Sequence, residues 1–236
     1  MRYDSVVQAI FVSRPNRFIA RVLLDGQEQT VHVKNTGRCR ELLVPGCTVW
    51  LSRASNPQRK TAFDLVAAEK NLPDGFVLLV NLDSQIPNDV AAEWLPRSGL
   101  FSPDAVFRRE VTFGGSRFDF FVEDGNRKAF LEVKGCTLER DGICSFPDAP
   151  TVRGARHVKE LTQVLEKGYE AFVLFIVQMK GMRYLIPNDV TDPQFGQNLR
   201  AAAEAGVRVL AVECEVSPDA ITACRTLPVH LELEQK

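Results

Sequence analysis

The run Phe-Leu-Glu-Val-Lys-Gly at residues 130–135 decides the fold, together with Arg-Phe-Asp-Phe-Phe-Val at residues 117–122 just before it. Both runs are rich in the apolar and aromatic residues that favour β-strands, and the polar segment 123–128 between them predicts a hairpin turn. The hairpin carries three charged side chains among its apolar residues: Asp119, Glu132 and Lys134.

The spacing of these charges indicates a site rather than a core. Side chains two residues apart share one face of a strand, so Glu132 and Lys134 point the same way, and Leu131 and Val133 point to the opposite face. Charges flanked this closely by apolar residues are costly to bury unless they are paired or bind a cation. With Asp119, they predict metal-dependent phosphodiester chemistry. The alternative is an ordinary cross-strand ion pair at a solvated sheet edge.

Composition and length set the broad class of the protein. The chain has 236 residues, of which 45% are hydrophobic and 25% charged, which is typical of globular proteins with one large domain or two modest ones. No stretch approaches the ~18–20 apolar residues that cross a membrane. The N-terminal residues lack the basic and apolar regions of an export signal, so we expect a cytoplasmic protein without a membrane partner.

Six cysteines are present, but none forms a Cys-x-x-Cys pair and no histidine has finger-like spacing. This pattern argues against structural zinc. We expect the cysteines to be reduced, since the chain lacks an export signal, and to be small buried hydrophobic residues.

Charge is distributed unevenly along the chain. Residues 1–83 carry eleven Lys or Arg and eight Asp or Glu, a net charge of +3, whereas residues 84–236 carry 18 against 22, a net charge of −4. A basic first part and an acidic second part suit a binding module joined to a metal-binding module. Solvated surface charge explains the asymmetry almost as well.

Short strands separated by turn signals fill the first eighty residues, and Asp25-Gly26 between two alternating runs is a hairpin signal. The predicted strands cover residues 6–12, 18–24, 30–33, 47–51, 62–68 and 76–80. Five or six short strands at this spacing predict an OB-like barrel, with a small β-sandwich as the alternative.

Five basic residues between these strands are predicted to bind nucleic acid: Lys34, Arg38, Arg40, Arg59 and Lys60. They suit a groove that contacts phosphates. Solvated turns explain them equally well, and few aromatic residues accompany them for base stacking.

The second part of the chain alternates between strands and helices, which predicts an α/β core. After a connecting segment at 84–100 with a helix at 87–95, we expect strands at 106–113, 117–122, 128–133, 171–178 and 207–212, a loop at 135–150 and helices at 151–167 and 193–205. The X-Pro steps and Gly99 in the connecting segment favour a domain boundary there. We therefore expect a barrel at 1–83 and an α/β domain at 84–236.

One face of the predicted helix 151–167 carries polar residues at i, i+4 and i+7: Arg153, His157 and Glu160. Arg153 and His157 are predicted to hold a phosphate, with a surface histidine as the alternative. Asp148 is expected to cap the helix. Glu110 is a further candidate carboxylate, and a surface glutamate is equally compatible with the pattern.

The whole chain resembles the sugar fermentation stimulation protein family. The matching segments are Asn35-Thr36-Gly37, Pro45-Gly46, Arg59-Lys60-Thr61, Val80-Asn81, Glu110-Val111, Ser116-Arg117-Phe118-Asp119-Phe120, Leu131-Glu132-Val133-Lys134, Phe146-Pro147-Asp148-Ala149, Thr151-Val152-Arg153-Gly154 and His157-Val158-Lys159-Glu160-Leu161. The resemblance implies an N-terminal OB-type domain and a C-terminal domain of the PD-D/E-x-K nuclease type with a mixed sheet. It also implies DNA binding and a link to the regulation of sugar metabolism, notably maltose use.

In the nuclease interpretation, Asp119 and Glu132 bind Mg²⁺ or Mn²⁺, and the backbone carbonyl of Val133 adds a ligand. Lys134 orients or deprotonates a water, or neutralises charge in the transition state. The expected partner is DNA, and RNA stays open because the same features serve both. The competing hypothesis is a non-catalytic DNA-binding transcriptional regulator that keeps the nuclease scaffold. The oligomeric state is open, with a homodimer as one alternative.

Overall fold

The computed structural model describes residues 1–35, 37–54, 56 and 58–232. Thr36, part of the Asn-Thr-Gly segment, and the last four residues of the predicted second domain lie outside the described residues. The strands of the N-terminal part are β1 (Val6–Asn16), β2 (Ile19–Leu24), β3 (Gln27–Val33), β4 (Thr48–Arg53), β5 (Phe63–Asn71) and β6 (Val77–Asn81).

Five of these strands close into a barrel, and β6 extends it beside β5. Neighbouring strands pair antiparallel except for β3 and β5, whose parallel contact (His32 with Asp64, Val33 with Leu65) closes the circle β1-β2-β3-β5-β4. Inward-facing residues alternate with exposed ones, as in β2, where Ala20 and Val22 are fully buried. The OB-like barrel predicted from the sequence is confirmed.

The C-terminal part contains a second set of elements. They are α1 (Ile86–Trp94), β7 (Val106–Phe113), β8 (Ser116–Asp124), β9 (Arg127–Cys136), β10 (Leu138–Arg140), β11 (Ile143–Phe146), α2 (Val152–Glu166), β12 (Glu170–Val177), β13 (Tyr184–Pro187), α3 (Pro193–Glu204), β14 (Arg208–Ser217) and β15 (Ala220–Leu227). Six of the strands form one sheet in the order β15-β14-β12-β9-β8-β7.

This sheet is mixed, because β9, β12 and β14 run parallel and the outer strands antiparallel. Seven residues of the central strand β12, from Ala171 to Val177, are buried, as its almost wholly apolar sequence predicts. Its alternate side chains pack on α1 on one face and on α2 and α3 on the other. The predicted α/β domain with a mixed sheet is confirmed.

A small sheet, β10-β11-β13, takes two of its strands from residues 135–150, where the sequence predicts a loop. Its strands are three or four residues long, and Glu139 and Arg140 interrupt any apolar pattern. The hairpin turns at Asp141 and Gly142, both with positive φ. Strand β13 lies about forty residues after β11 in the chain and pairs with it in parallel. Local sequence does not reveal such a distant pairing.

Buried polar contacts tie the barrel to the C-terminal sheet. Gln178 Nε2 donates to Asn81 Oδ1 at 2.9 Å and to the carbonyl of Asp83 at 3.0 Å. Within the N-terminal part, Lys34 Nζ lies 2.8 Å from the fully buried carboxylate of Asp83, the residue whose carbonyl Gln178 contacts. Tyr3 N donates to the carbonyl of Asp219 at 2.7 Å, so the first residues of the chain lie against the C-terminal sheet. The hydrogen bonds of Gln178 and Tyr3 therefore join the two parts.

Among the described residues, no helix combines the length and the apolar character required to cross a membrane.

Candidate active site

Glu132 lies on β9 and faces α2, where two basic side chains meet one of its oxygens. Lys134 Nζ donates to Glu132 Oε1 at 2.5 Å, and His157 Nδ1 lies 2.6 Å from the same oxygen. A carboxylate only accepts, so Nδ1 of His157 carries the proton. Leu131 and Val133 pack on the α1 side of the sheet, which confirms the predicted alternation along β9.

The second oxygen of Glu132 is the least satisfied polar atom of the site. Glu132 is only 3% exposed, and its Oε2 is buried with no hydrogen-bond partner among the described residues. Burial raises the pKa of this carboxyl, but the hydrogen bond from His157 and the charge of Lys134 outweigh it and hold the pKa below its ordinary value. The result is an ionised carboxylate with an open oxygen, an arrangement that suits a cation.

Asp119 on β8 forms the other half of the carboxylate pair, the name used below for Asp119 and Glu132. Asp119 and Glu132 each lie one residue beyond the last pair of the β8–β9 ladder, Phe120 with Leu131. Asp119 Oδ1 accepts from Asn88 Nδ2 at 2.8 Å, and Oδ2 accepts from Val133 N at 2.7 Å.

Burial raises the pKa of Asp119, and the nearby negative charge of Glu132 raises it further. A cation between the two carboxylates would relieve this repulsion. Each oxygen of Asp119 accepts one hydrogen bond and keeps a second lone pair for a ligand. The site therefore offers two carboxylates, and the described residues contain no group of three or more His, Cys, Asp or Glu arranged for a metal.

Helix α2 carries His157, which contacts Glu132, and Thr151 is the N-cap residue at which this helix begins. The Thr151 side chain accepts from Gly154 N at 3.1 Å, so the expectation that Asp148 caps the helix is wrong. Arg153 Nε donates to His157 Nε2 at 3.4 Å, on the ring nitrogen that faces away from Glu132. Arg153 therefore lies behind His157 instead of beside the carboxylates.

The remaining acidic residues predicted for the site lie elsewhere. Glu160 accepts a hydrogen bond from Ser116 Oγ and pairs with Arg156 at 3.7 Å. Glu110 has a left-handed backbone with φ of 58° on the edge strand β7, and its side chain pairs with Arg117 at 2.8 Å. Neither side chain contacts the carboxylate pair.

The five predicted nucleic-acid-binding residues fall into two groups. Arg38 and Arg40 are exposed and line a cavity between the barrel and the C-terminal sheet. Lys60 and Arg59 lie together on the barrel surface, and Arg59 pairs with Asp64 at 2.8 Å. Lys34 is engaged with Asp83, as described above.

Asn88 is a site residue that the sequence does not reveal. It lies on α1, 31 residues before the Asp119 carboxylate that it contacts. Its only local signal is a position near the start of a helix, which is an ordinary place for an asparagine.

Comparisons with known proteins cover nearly the whole chain. Residues 12–79 match the model of the SfsA N-terminal OB domain, and residues 85–220 match that of the sugar fermentation stimulation protein RE domain. The chain is 51% identical over 231 residues to a sugar fermentation stimulation protein homolog of Desulfitobacterium hafniense, covering 98% of this chain and 99% of the relative. It is 45% identical to the homolog of Ruminiclostridium cellulolyticum, covering 98% and 100%.

A solved structure is also similar, described as the structure of Pyrococcus furiosus SfsA in complex with Ca²⁺. It has a TM-score of 0.85 and 27% sequence identity, and the match covers 98% of both chains.

Proposed function

Because the chain belongs to the sugar fermentation stimulation protein family, we propose that it is a DNA-binding protein whose C-terminal part hydrolyses phosphodiester bonds with a divalent metal. In this proposal residues 1–83 form the binding barrel and residues 84–236 the nuclease-like domain. The single observation that carries the proposal is the open, buried Oε2 of Glu132 beside Asp119.

The donor set fits Mg²⁺ or Mn²⁺. Mg²⁺ is usually bound by one or two carboxylates, with waters and substrate phosphates completing its shell, and does not need an all-protein cage. Asp119 and Glu132 supply two carboxylates on adjacent strands, and we propose the Val133 carbonyl as a further ligand. The Ca²⁺ complex of the Pyrococcus furiosus relative supports a divalent cation in this fold.

The chain's own residues have separate roles in this reaction. Asp119 and Glu132 would hold the cation, and a bound cation would supply polarisation of the phosphoryl group and a lower pKa of an attached water. Asn88 and the Val133 amide orient Asp119. Lys134 Nζ, whose side chain is 14% exposed, keeps a positive charge beside the reacting phosphate and offers protons for hydrogen bonds to it.

Cleavage assays with Mg²⁺ and with Mn²⁺ on single-stranded, duplex and branched DNA test the proposal. Lys134→Ala should lower the cleavage rate at least about 10²-fold and leave DNA binding in place, because it removes charge at the reacting group. Lys128→Ala is the matched control, since Lys128 lies on the same strand but pairs with Glu123 at 3.7 Å. Absence of cleavage on all three substrates with either metal would contradict the nuclease proposal.

A second candidate is a non-catalytic DNA-binding regulator of sugar metabolism. The name shared by the relatives, sugar fermentation stimulation protein homolog, favours it. A regulator would bind DNA with or without metal, and Glu132→Gln would leave that binding unchanged. The cleavage assays therefore separate the two candidates.

A further inference from the structure

A cavity of about 730 Å³ lies between the barrel and the C-terminal sheet, and we name it the seam cavity. Gly135, the residue after Lys134 on β9, and Thr151, which caps α2, both line it. From Thr151 to His157 is six residues of helix, or about 9 Å along its axis. Gly135 is three residues from Glu132 on β9, or about 10 Å, so two lining residues lie about 10 Å from the site that contains the carboxylate pair.

The barrel wall of the seam cavity is cationic. Arg17, Arg38 and Arg40 line it, and all three are exposed, with no ion pair to any residue that the structure describes. The buried side of this wall is fixed by Arg14, whose guanidinium donates to the carbonyls of Asn35 at 2.6 Å and Arg38 at 2.8 Å. The positive end of α2 faces the same space.

The opposite wall carries apolar residues. Phe146 and Pro147 line it, and the Phe146 ring packs against Phe175 and Phe195 with centroid distances of 5.3 Å and 5.0 Å. Asp148 also lines the cavity, its Oδ2 reaches the barrel side at 4.0 Å from Cys39 Sγ, and it has no ion pair among the described residues. A phosphate would be repelled by Asp148 and drawn to the arginines, whereas a base would find the aromatic side.

We propose that the seam cavity binds a single-stranded segment of the nucleic acid, with its phosphates on Arg38 and Arg40 and a base against Phe146. The inference rests on the proposed function and names its substrate class. A volume of about 730 Å³ is in the range of small-molecule pockets, roughly 300–1,000 Å³, and admits one or two nucleotides. A continuous duplex, whose major groove alone is about 12 Å wide, does not enter it.

The test measures binding in EDTA, so that it does not depend on cleavage. Full-length protein is titrated into labelled oligo-dT and into a duplex of the same length at several salt concentrations. Wild type should bind the single strand more tightly than the duplex. Arg38→Ala with Arg40→Ala should weaken single-strand binding about tenfold or more and reduce the salt slope by about 1.4, the value for two phosphates.

The control is Arg108→Ala with Lys128→Ala, which removes the same charge where both residues pair with Glu123. That site is seven residues from Gly135 along β9, or about 23 Å. Two milder variants sharpen the result: Phe146→Leu should weaken single-strand binding by up to about tenfold, and Asp148→Asn should strengthen it. A titration with labelled oligo-U, compared with oligo-dT, shows whether the cavity prefers RNA or DNA.

Equal binding of duplex and single strand by wild type, or an equal loss in the control variant, would overturn the inference. Either result leaves the proposed hydrolase standing, because cleavage is measured separately with metal. Conversely, the protein could prefer single strands through Arg38 and Arg40 and yet cleave no substrate. That result would support single-strand binding in the seam cavity and contradict the proposed hydrolysis.

Discussion

The barrel and the C-terminal sheet each surround one carboxylate with a basic side chain and a histidine. In the barrel, Arg59 donates to both oxygens of Asp64, at 2.8 Å and 3.0 Å, and His32 Nδ1 lies 2.9 Å from Oδ1. Burial raises the pKa of Asp64, but the hydrogen bonds from Arg59 and His32 outweigh it and lower the pKa below its ordinary value.

In the C-terminal sheet the same ingredients are arranged differently. Lys134 and His157 both meet Oε1 of Glu132, and Oε2 is left buried without a partner among the described residues. The bidentate fork of arginine covers both oxygens of a carboxylate, whereas the point charge of lysine covers one. The barrel cluster of Asp64, Arg59 and His32 is therefore a closed cluster, in which both carboxylate oxygens are occupied. The sheet cluster of Glu132, Lys134 and His157 is an open cluster, because one carboxylate oxygen is left as an acceptor for a ligand.

The largest expected effect breaks the open cluster. Glu132→Gln removes the charge that holds the proposed cation, so cleavage should fall at least about 10²-fold and Mn²⁺ binding measured by calorimetry should disappear. Asp64→Asn removes the same charge from the closed cluster and should leave both measurements unchanged. Loss of Mn²⁺ binding in the Asp64 variant, or its survival in the Glu132 variant, would contradict the contrast between the clusters.

The two histidines sharpen the comparison with a smaller effect. His157→Gln should weaken Mn²⁺ binding about 10–100-fold, because groups that orient a metal ligand contribute that much. His32→Gln, the same change at the closed cluster, should not alter it. Circular dichroism checks that both variants fold. Equal Mn²⁺ affinity in the two variants would mean that His157 does not position Glu132.

Sequence alone predicted the strands that carry the carboxylate pair, because the apolar alternation in 117–122 and 130–135 is strong and local. It placed Glu132 and Lys134 on one face for the same reason. It did not reveal that His157 contacts Glu132, since that contact joins residues 25 apart on different elements.

The closed cluster was also invisible in the sequence. The sequence predicts Arg59 as a phosphate ligand, and in the structure its guanidinium pairs with Asp64 at 2.8 Å. His32 reaches Asp64 because β3 pairs with β5, the contact that closes the barrel. Pairings set by barrel closure have no local sequence signal.

The smallest expected effect concerns the stability of the closed cluster. The pKa of Asp64 is lowered in the folded state, so its ion pair stabilises the fold at pH values above the ordinary pKa of aspartate. This contribution to the free energy of unfolding is lost as the pH falls through the lowered pKa. Asp64→Asn should therefore reduce the free energy of unfolding by about 1 kcal/mol at neutral pH, and the difference from wild type should vanish in strong acid. Urea denaturation at neutral pH and in strong acid measures this free energy. The control is Asp104→Asn, because Asp104 is exposed and has no partner among the described residues. If Asp64→Asn reduced the free energy of unfolding equally at both pH values, the Asp64 carboxylate would stabilise the fold by packing and not by its charge. The closed cluster would then not be an ion pair, and its contrast with the open cluster would not hold.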